Sequence, residues 1–225
     1  MQPVVQPVPL AGEHASWLLR LEQKLSETIW SKNIQPIAEK LAANVPLDID
    51  DGMALYNHAD LHEVGALAHA VREARFGQQA FFNSNVHINQ TNMCVLACRF
   101  CAFRRSPRAE DAYAMSIEEY LADLANYAHA IDEVHSVGGL HPEWDVSHYE
   151  ELFRRVSETY PRLSIKALTA VEIKHLAQRS SITTREVLSR LRDAGLTSIP
   201  GGGAEILDDG VRKIICNGKE SSDEY

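Results

Sequence analysis

Apolar residues between positions 15 and 80 recur at the three- and four-residue intervals of an amphipathic helix. Trp17, Leu18, Leu21 and Leu25 share one face of a predicted helix over residues 15–25. A similar pattern covers residues 29–43, with Pro36 an expected interruption because proline lacks an amide donor. Asp48-Ile49-Asp50-Asp51-Gly52 reads as a turn and helix start. Asp60 caps a further stretch with Leu61, Val64, Leu67, Ala68 and Val71 on one face, and Gly77 ends it.

The pattern changes after residue 80. Residues 86–89 alternate apolar and polar, as a short strand does. Residues 116–130 read as a helix opened by the capping box Ser116…Glu119, with Ile117, Leu121 and Leu124 on its face. A strand over 133–137 runs into Gly138-Gly139, and a helix over 147–160 is stopped by Pro161. A strand over 163–168 precedes two helices, 170–178 and 183–194, the second capped by Thr183 and Glu186 and stopped by Gly195. A fourth strand, 196–200, ends in Gly201-Gly202-Gly203, and residues 211–225 read as a loop and the opening of another helix.

Alternating strands and helices imply a parallel sheet. The expected fold class is α/β: a helical segment over 1–80, then a partial (β/α) barrel over 81–225. Four parallel strands do not close a barrel, so the chain is expected to be a truncated part of a longer design. Each chemical-looking loop falls after a strand, where parallel barrels gather their ligands.

Cys94, Cys98 and Cys101 follow the first strand with the spacing C-x3-C-x2-C. Three thiolates ligate three irons of a [4Fe-4S] cluster and leave the fourth iron open for chemistry, whereas electron carriers close all positions. Zinc or a closed cluster, with Cys216 or a histidine as fourth ligand, is the alternative, although zinc ligands usually come as two close pairs. Cys216 otherwise reads as an ordinary semi-buried thiol. A disulfide framework is excluded by four cysteines in 225 residues.

Composition narrows the class further. The chain is 45% apolar and 24% charged, as globular proteins are. No apolar stretch reaches the length of a membrane span. The proline-rich start, residues 1–9, has no signal-peptide pattern and reads as a mobile tail. Reduced thiols place the protein in the cytoplasm. A net charge of −9 argues against a nucleic-acid partner. Arg99, Arg104, Arg105 and Arg108 crowd the cysteines, either as a solvated loop or facing anionic ligands.

The cysteine spacing, with Phe100 before the third cysteine, resembles the radical S-adenosylmethionine (SAM) enzymes. His87 to Asn92, Cys101-Ala102-Phe103, Val137 to Pro142 and Pro200 to Ile206 are similar to one subgroup, the futalosine-pathway menaquinone enzymes and the deazaflavin synthases. Within it, Lys166 to Ile173 resembles the aminodeoxyfutalosine synthases, with the futalosine cyclases and deazaflavin synthases as alternatives. Gln90 stands where the subgroup is expected to carry proline.

The resemblance implies a [4Fe-4S] cluster on Cys94, Cys98 and Cys101, SAM as co-substrate, and Phe100 beside the adenine. It implies an external one-electron donor of flavodoxin or ferredoxin type. The implied reaction adds the 5′-deoxyadenosyl radical to the vinyl carbon of 3-[(1-carboxyvinyl)oxy]benzoate. The aryl group migrates, carbon dioxide leaves, and 6-amino-6-deoxyfutalosine forms.

Other candidates follow from their positions. Gly138 and Gly139 are expected to expose backbone to the SAM amine, or to form a plain turn. His141 is a candidate for substrate or SAM contact. Lys166, in an apolar run, meets a substrate carboxylate if it points inward and water if outward. Glu172 and Glu205 are candidates for a ribose hydroxyl or the SAM amine, or ordinary surface acids. Gly201, Gly202 and Gly203 are expected to cradle a carboxylate with backbone N–H groups.

Overall fold

Helices whose apolar faces meet one another occupy the first part of the chain in a computed structural model that describes residues 14–225. The proline-rich start lies outside the described residues. α1 (His14–Ser26), α2 (Gln35–Ala42), α3 (Ile49–Tyr56) and α4 (Leu61–Phe76) belong to one compact unit that ends at Phe81. Leu21, Leu25, Trp30, Ile34, Ile37 and Leu67 are buried in its core. Pro36 does not interrupt a helix: it sits in the first turn of α2, where a missing N–H costs no intrahelical bond. Asp48 and Asp51 form a capping box at α3, and Lys40 bridges both carboxylates. Asp60 accepts the His62 and Glu63 amides at α4.

Phe82–Tyr225 forms the second unit. It contains β1 (Asn85–His87), α5 (Ile117–Ala125), β2 (Glu133–Ser136), α6 (Val146–Thr159), β3 (Ser164–Ala167), α7 (Ala170–Ser180), α8 (Thr184–Asp193), β4 (Leu196–Ser198) and α9 (Asp209–Ile215). The strands pair in the order β1-β2-β3-β4, all parallel. Val134, Ile165 and Leu196 lie buried against the helices, with Leu124, Tyr149, Phe153, Leu176 and Leu191. Alternation along each strand turns Asn85, His87, Glu133, His135, Ser164 and Lys166 to the opposite, more open face. β3 and β4 pair with a one-residue irregularity: Thr197 is skipped between the pairs Ile165–Leu196 and Lys166–Ser198. Its hydroxyl donates to the Ile165 carbonyl.

In the first unit, residues 29–34 stay outside the helix expected over 29–43, and α2 begins at Gln35; in the second unit two further segments depart from the sequence expectation. α5 stops at Ala125 rather than 130, because bonds such as Asn126 N–H to Asp123 and Ala130 N–H to Tyr127 tighten the chain into turns. Beyond residue 208 the order is reversed. The helix comes first, as α9 capped by Asp208, and the loop follows. Asp208 side-chain acceptance of the Val211 amide starts the helix earlier than the apolar pattern suggests.

Candidate active site at the carboxyl ends of the strands

The chain after β1 is tied down by its own polar side chains. Gln90 is buried, accepting from Ser136 Oγ at 2.7 Å and donating to Tyr149 Oη at 3.1 Å. Proline could make neither bond, so glutamine at this position ties the loop to β2 and α6. Thr91 and Asn92 bind backbone groups of Tyr113 and Asp111 across the loop. Arg105 ion-pairs with Asp111 at 2.6 Å and donates to the carbonyls of Ala102, Phe103 and Arg104. The cysteines therefore sit in a loop cross-braced on both sides.

Gly139 lets that loop approach β2. A Cβ there would lie 2.1 Å from the Met93 oxygen, and one on Gly138 would lie 2.8 Å from Gln90 Nε2. Both glycine amides are engaged within the protein, Gly138 to Glu172 Oε1 and Gly139 to the Thr91 oxygen, each at 2.9 Å. Neither N–H is therefore free to donate to a ligand.

One cavity of about 200 Å³ collects these groups. Cys94, Cys98, Cys101, Phe100, Gly138, Glu172 and Glu205 line it, and each was singled out in the sequence. Gly203 lines it in place of Gly201 and Gly202. At φ +93° a Gly203 side chain would lie 2.5 Å from Val171 Cγ2, so this glycine permits the close turn. Gly202 instead accepts from Tyr225 through its carbonyl. Lys166 does not line the cavity, and its ammonium lies 3.9 Å from Glu133 on the open face of the sheet.

Glu172 is not a surface acid. It is 4% exposed, with Thr169 donating to Oε2 at 2.9 Å. Burial pushes its pKa up to about 7 despite the Gly138 and Thr169 hydrogen bonds. Behind it a smaller cavity is lined by His141, Trp144, Tyr149 and His175. His141 is there, not in the cysteine cavity: its Nδ1 accepts the Glu143 amide, and its ring stacks on Trp144 at 4.2 Å.

Two basic residues line the cavity: Arg104, one of the four arginines that crowd the cysteines in the sequence, and Lys219, which no motif marks. Arg104 lines the wall with a buried Nε that has no hydrogen-bond partner. Arg99 and Arg108, also in the basic run, are exposed. Lys219 has a side chain 7% exposed, pairs with Glu205 and lies 5.7 Å from the Phe100 ring centre. Burial raises the Cys98 pKa, and the Lys219 ammonium opposes that rise. Arg212 holds Lys219 in place indirectly, since its buried guanidinium donates to the carbonyls of Ala204, Ile206 and Glu220. Arg99 N–H to Ile215 O then joins α9 to the cysteine loop.

The donor set suits an iron–sulfur cluster. The three half-buried thiols share one wall, and no three His, Cys, Asp or Glu side chains among the described residues converge on a single ion. Ligands of a multi-iron cluster bind different metals, so separated thiols fit it better than one zinc. Cys216 lies within electrostatic reach of Cys98 but is 1% exposed and does not line the cavity.

Fold and site together define a parallel β/α protein with a cysteine-held iron–sulfur position at its strand ends. The family model described as the radical SAM superfamily matches residues 88–225, and the chain belongs to that superfamily. Its members use a [4Fe-4S] cluster bound by cysteines, together with SAM. The chain is 38% identical over 189 residues to the aminodeoxyfutalosine synthase of Thermus thermophilus, covering 84% of this chain and 51% of that protein. It is 34% identical over 198 residues to the cyclic dehypoxanthine futalosine synthase of Streptomyces coelicolor, covering 86% and 50%. The crystal structure of methylornithine synthase shares the fold with a TM-score of 0.55 at 20% identity, over 91% of this chain and 52% of that one. The chain thus spans about half the length of the curated relatives it matches. Among the described residues, no helix is long and apolar enough to cross a membrane.

Proposed function

We propose that the chain forms part of an aminodeoxyfutalosine synthase, which joins the 5′-deoxyadenosyl group of SAM to 3-[(1-carboxyvinyl)oxy]benzoate. The observation that carries this reading is the cavity shared by the three cysteines, Gly138, Glu172 and Gly203. The run Lys166 to Ile173, which resembles the synthases, contributes Thr169, Val171 and Glu172 to its lining.

Cys94, Cys98 and Cys101 would hold the cluster as thiolates. When bound, the cluster supplies the electron that splits SAM into methionine and a 5′-deoxyadenosyl radical. Gly138, on the cavity wall, would offer its carbonyl to the SAM amine, whereas Gly139 lines the smaller cavity behind. Arg104 and Lys219 bring positive charge to the same space and favour anionic groups there. Phe100 offers a ring face for the adenine. Leu96, Val137, Leu140 and Val171 make the remaining wall apolar, which excludes water from a reactive intermediate. A flavodoxin- or ferredoxin-type donor and a cytoplasmic location belong to this reading.

The test is anaerobic reconstitution of the chain with iron and sulfide, then incubation with SAM, dithionite and the enol ether. Mass spectrometry is expected to find the adenosyl adduct and carbon dioxide. Free 5′-deoxyadenosine without adduct would point to hydrogen abstraction, as in a cyclase, and overturn the synthase reading. The Cys98→Ala variant is expected to lose both cluster absorbance and SAM cleavage. Turnover by that variant would remove Cys98 from the ligand set.

A further inference from the structure

Beneath the cysteine cavity, the open face of the sheet carries a row of nitrogen bases. The strand register sets His87 beside His135, and His135 beside Lys166. All three lie on the face opposite the buried Val134 and Ile165. The rings of His87 and His135 stack with centroids 4.8 Å apart and planes at 20°.

This row is short of acceptors. His135 Nε2 is buried and has no hydrogen-bond partner. Glu133 is the only acid facing the row from β1, β2 or β3. It lies 3.9 Å from Lys166, beyond a close charge-assisted bond, and already accepts from Asn83 at 3.0 Å. Burial, His87 and Lys166 push the His135 pKa down, and Glu133 opposes them. An incoming anion would reverse that balance and draw a proton onto the imidazole.

The row also stands at the right depth. His135 precedes Val137 by two residues, and Val137, just past the end of β2, lines the cysteine cavity. Two strand residues span roughly 7 Å. A ligand reacting in the cavity would therefore place its far end over these bases.

We propose that His87, His135 and Lys166 form a carboxylate-binding shelf that holds the ring carboxylate of an aryl enol-ether substrate. This rests on the synthase reading for the identity of the ligand. The vinyl carbon must meet the adenosyl group in the cavity, so the ring carboxylate, at the opposite end of the molecule, lies deeper. Two imidazole N–H groups and an ammonium suit a carboxylate, and fixing it orients the vinyl group.

The probe is 3-methoxybenzoate, titrated into the whole chain while the imidazole Cε1–H resonances are followed by NMR. The His87 and His135 resonances are expected to move, and the apparent His135 pKa to rise in the saturated protein. Binding should weaken as pH rises from about 6 to 8, since His⁺ binds the anion better than neutral His. His135→Gln and Lys166→Met should each weaken binding about tenfold, and Lys166→Arg should retain most of it. Unmoved histidine resonances, or unchanged binding in both variants with unaltered circular dichroism, overturn the shelf. Turnover separates the two readings. Adduct formation with an unchanged KM in Lys166→Met overturns the shelf and leaves the synthase. Histidine-dependent probe binding without any adduct keeps the shelf and overturns the synthase.

Discussion

Glu172 shows how burial changes the chemistry of one side chain. Its carboxyl is enclosed, and its pKa rises from 4.5 to about 7 because the charged form loses water. The folded protein therefore binds this proton more tightly than the unfolded chain does. The stabilisation is complete below pH 4.5 and is lost as pH rises through about 7. Glu172→Gln keeps an acceptor for the Gly138 amide and removes the charge. Its unfolding free energy in urea should match wild type near pH 4 and exceed it by roughly 3 kcal/mol near pH 8. A constant difference across that range would show that Glu172 does not titrate in the fold. Gly139 is equally exacting for a steric reason. Gly139→Ala puts a methyl group 2.1 Å from the Met93 oxygen and must displace the cysteine loop. A stability loss of about 2 kcal/mol and reduced iron per reconstituted chain are expected, measured by thermal unfolding and metal analysis.

Elements meet at this site through buried polar anchors. β3 is followed by Leu168, a buried residue at φ +64°, whose turn sets Thr169 as the cap of α7 and brings Glu172 to the cavity. α9 reaches the cysteine loop because Arg212 gathers three carbonyls of the surrounding loops. Replacing Arg212 with methionine strands those carbonyls beside the buried Glu220. A cost of roughly 3–5 kcal/mol is expected. Amide exchange should quicken over residues 204–220 first, and equal quickening in β2 would indicate that α9 is not a separate late element. The helix caps were readable because Ser116, Thr183 and Asp60 bind amides only a few residues away. The anchors were not, because Arg212 and Lys219 have partners that no local spacing reveals. Arg105 was singled out for its charge, and the loop instead uses its fork to hold three carbonyls.

Across the molecule, the sheet core is what keeps four strand ends in register under the cavity. Leu191 on α8 is fully buried in that core. Leu191→Ala should cost about 2–5 kcal/mol, read from the urea midpoint, because neighbours cannot close the space left behind. A change under 0.5 kcal/mol would show a loosely packed core. Hydrophobic period and glycine punctuation, both local properties, were enough to predict the order of helices and parallel strands. The same local chemistry marked the cysteine triplet, because clustered thiols are rare and their spacing is itself the signal. Which candidates share a space was decided only by the tertiary structure. It put Glu172, Glu205 and Gly203 with the cysteines, moved His141 behind them, and turned Lys166 toward His135. The physical reason is that burial, cavity formation and charge balance come from chain segments more than a hundred residues apart, as Cys98 and Lys219 are, and a linear pattern carries no record of which distant residue supplies the missing wall or charge.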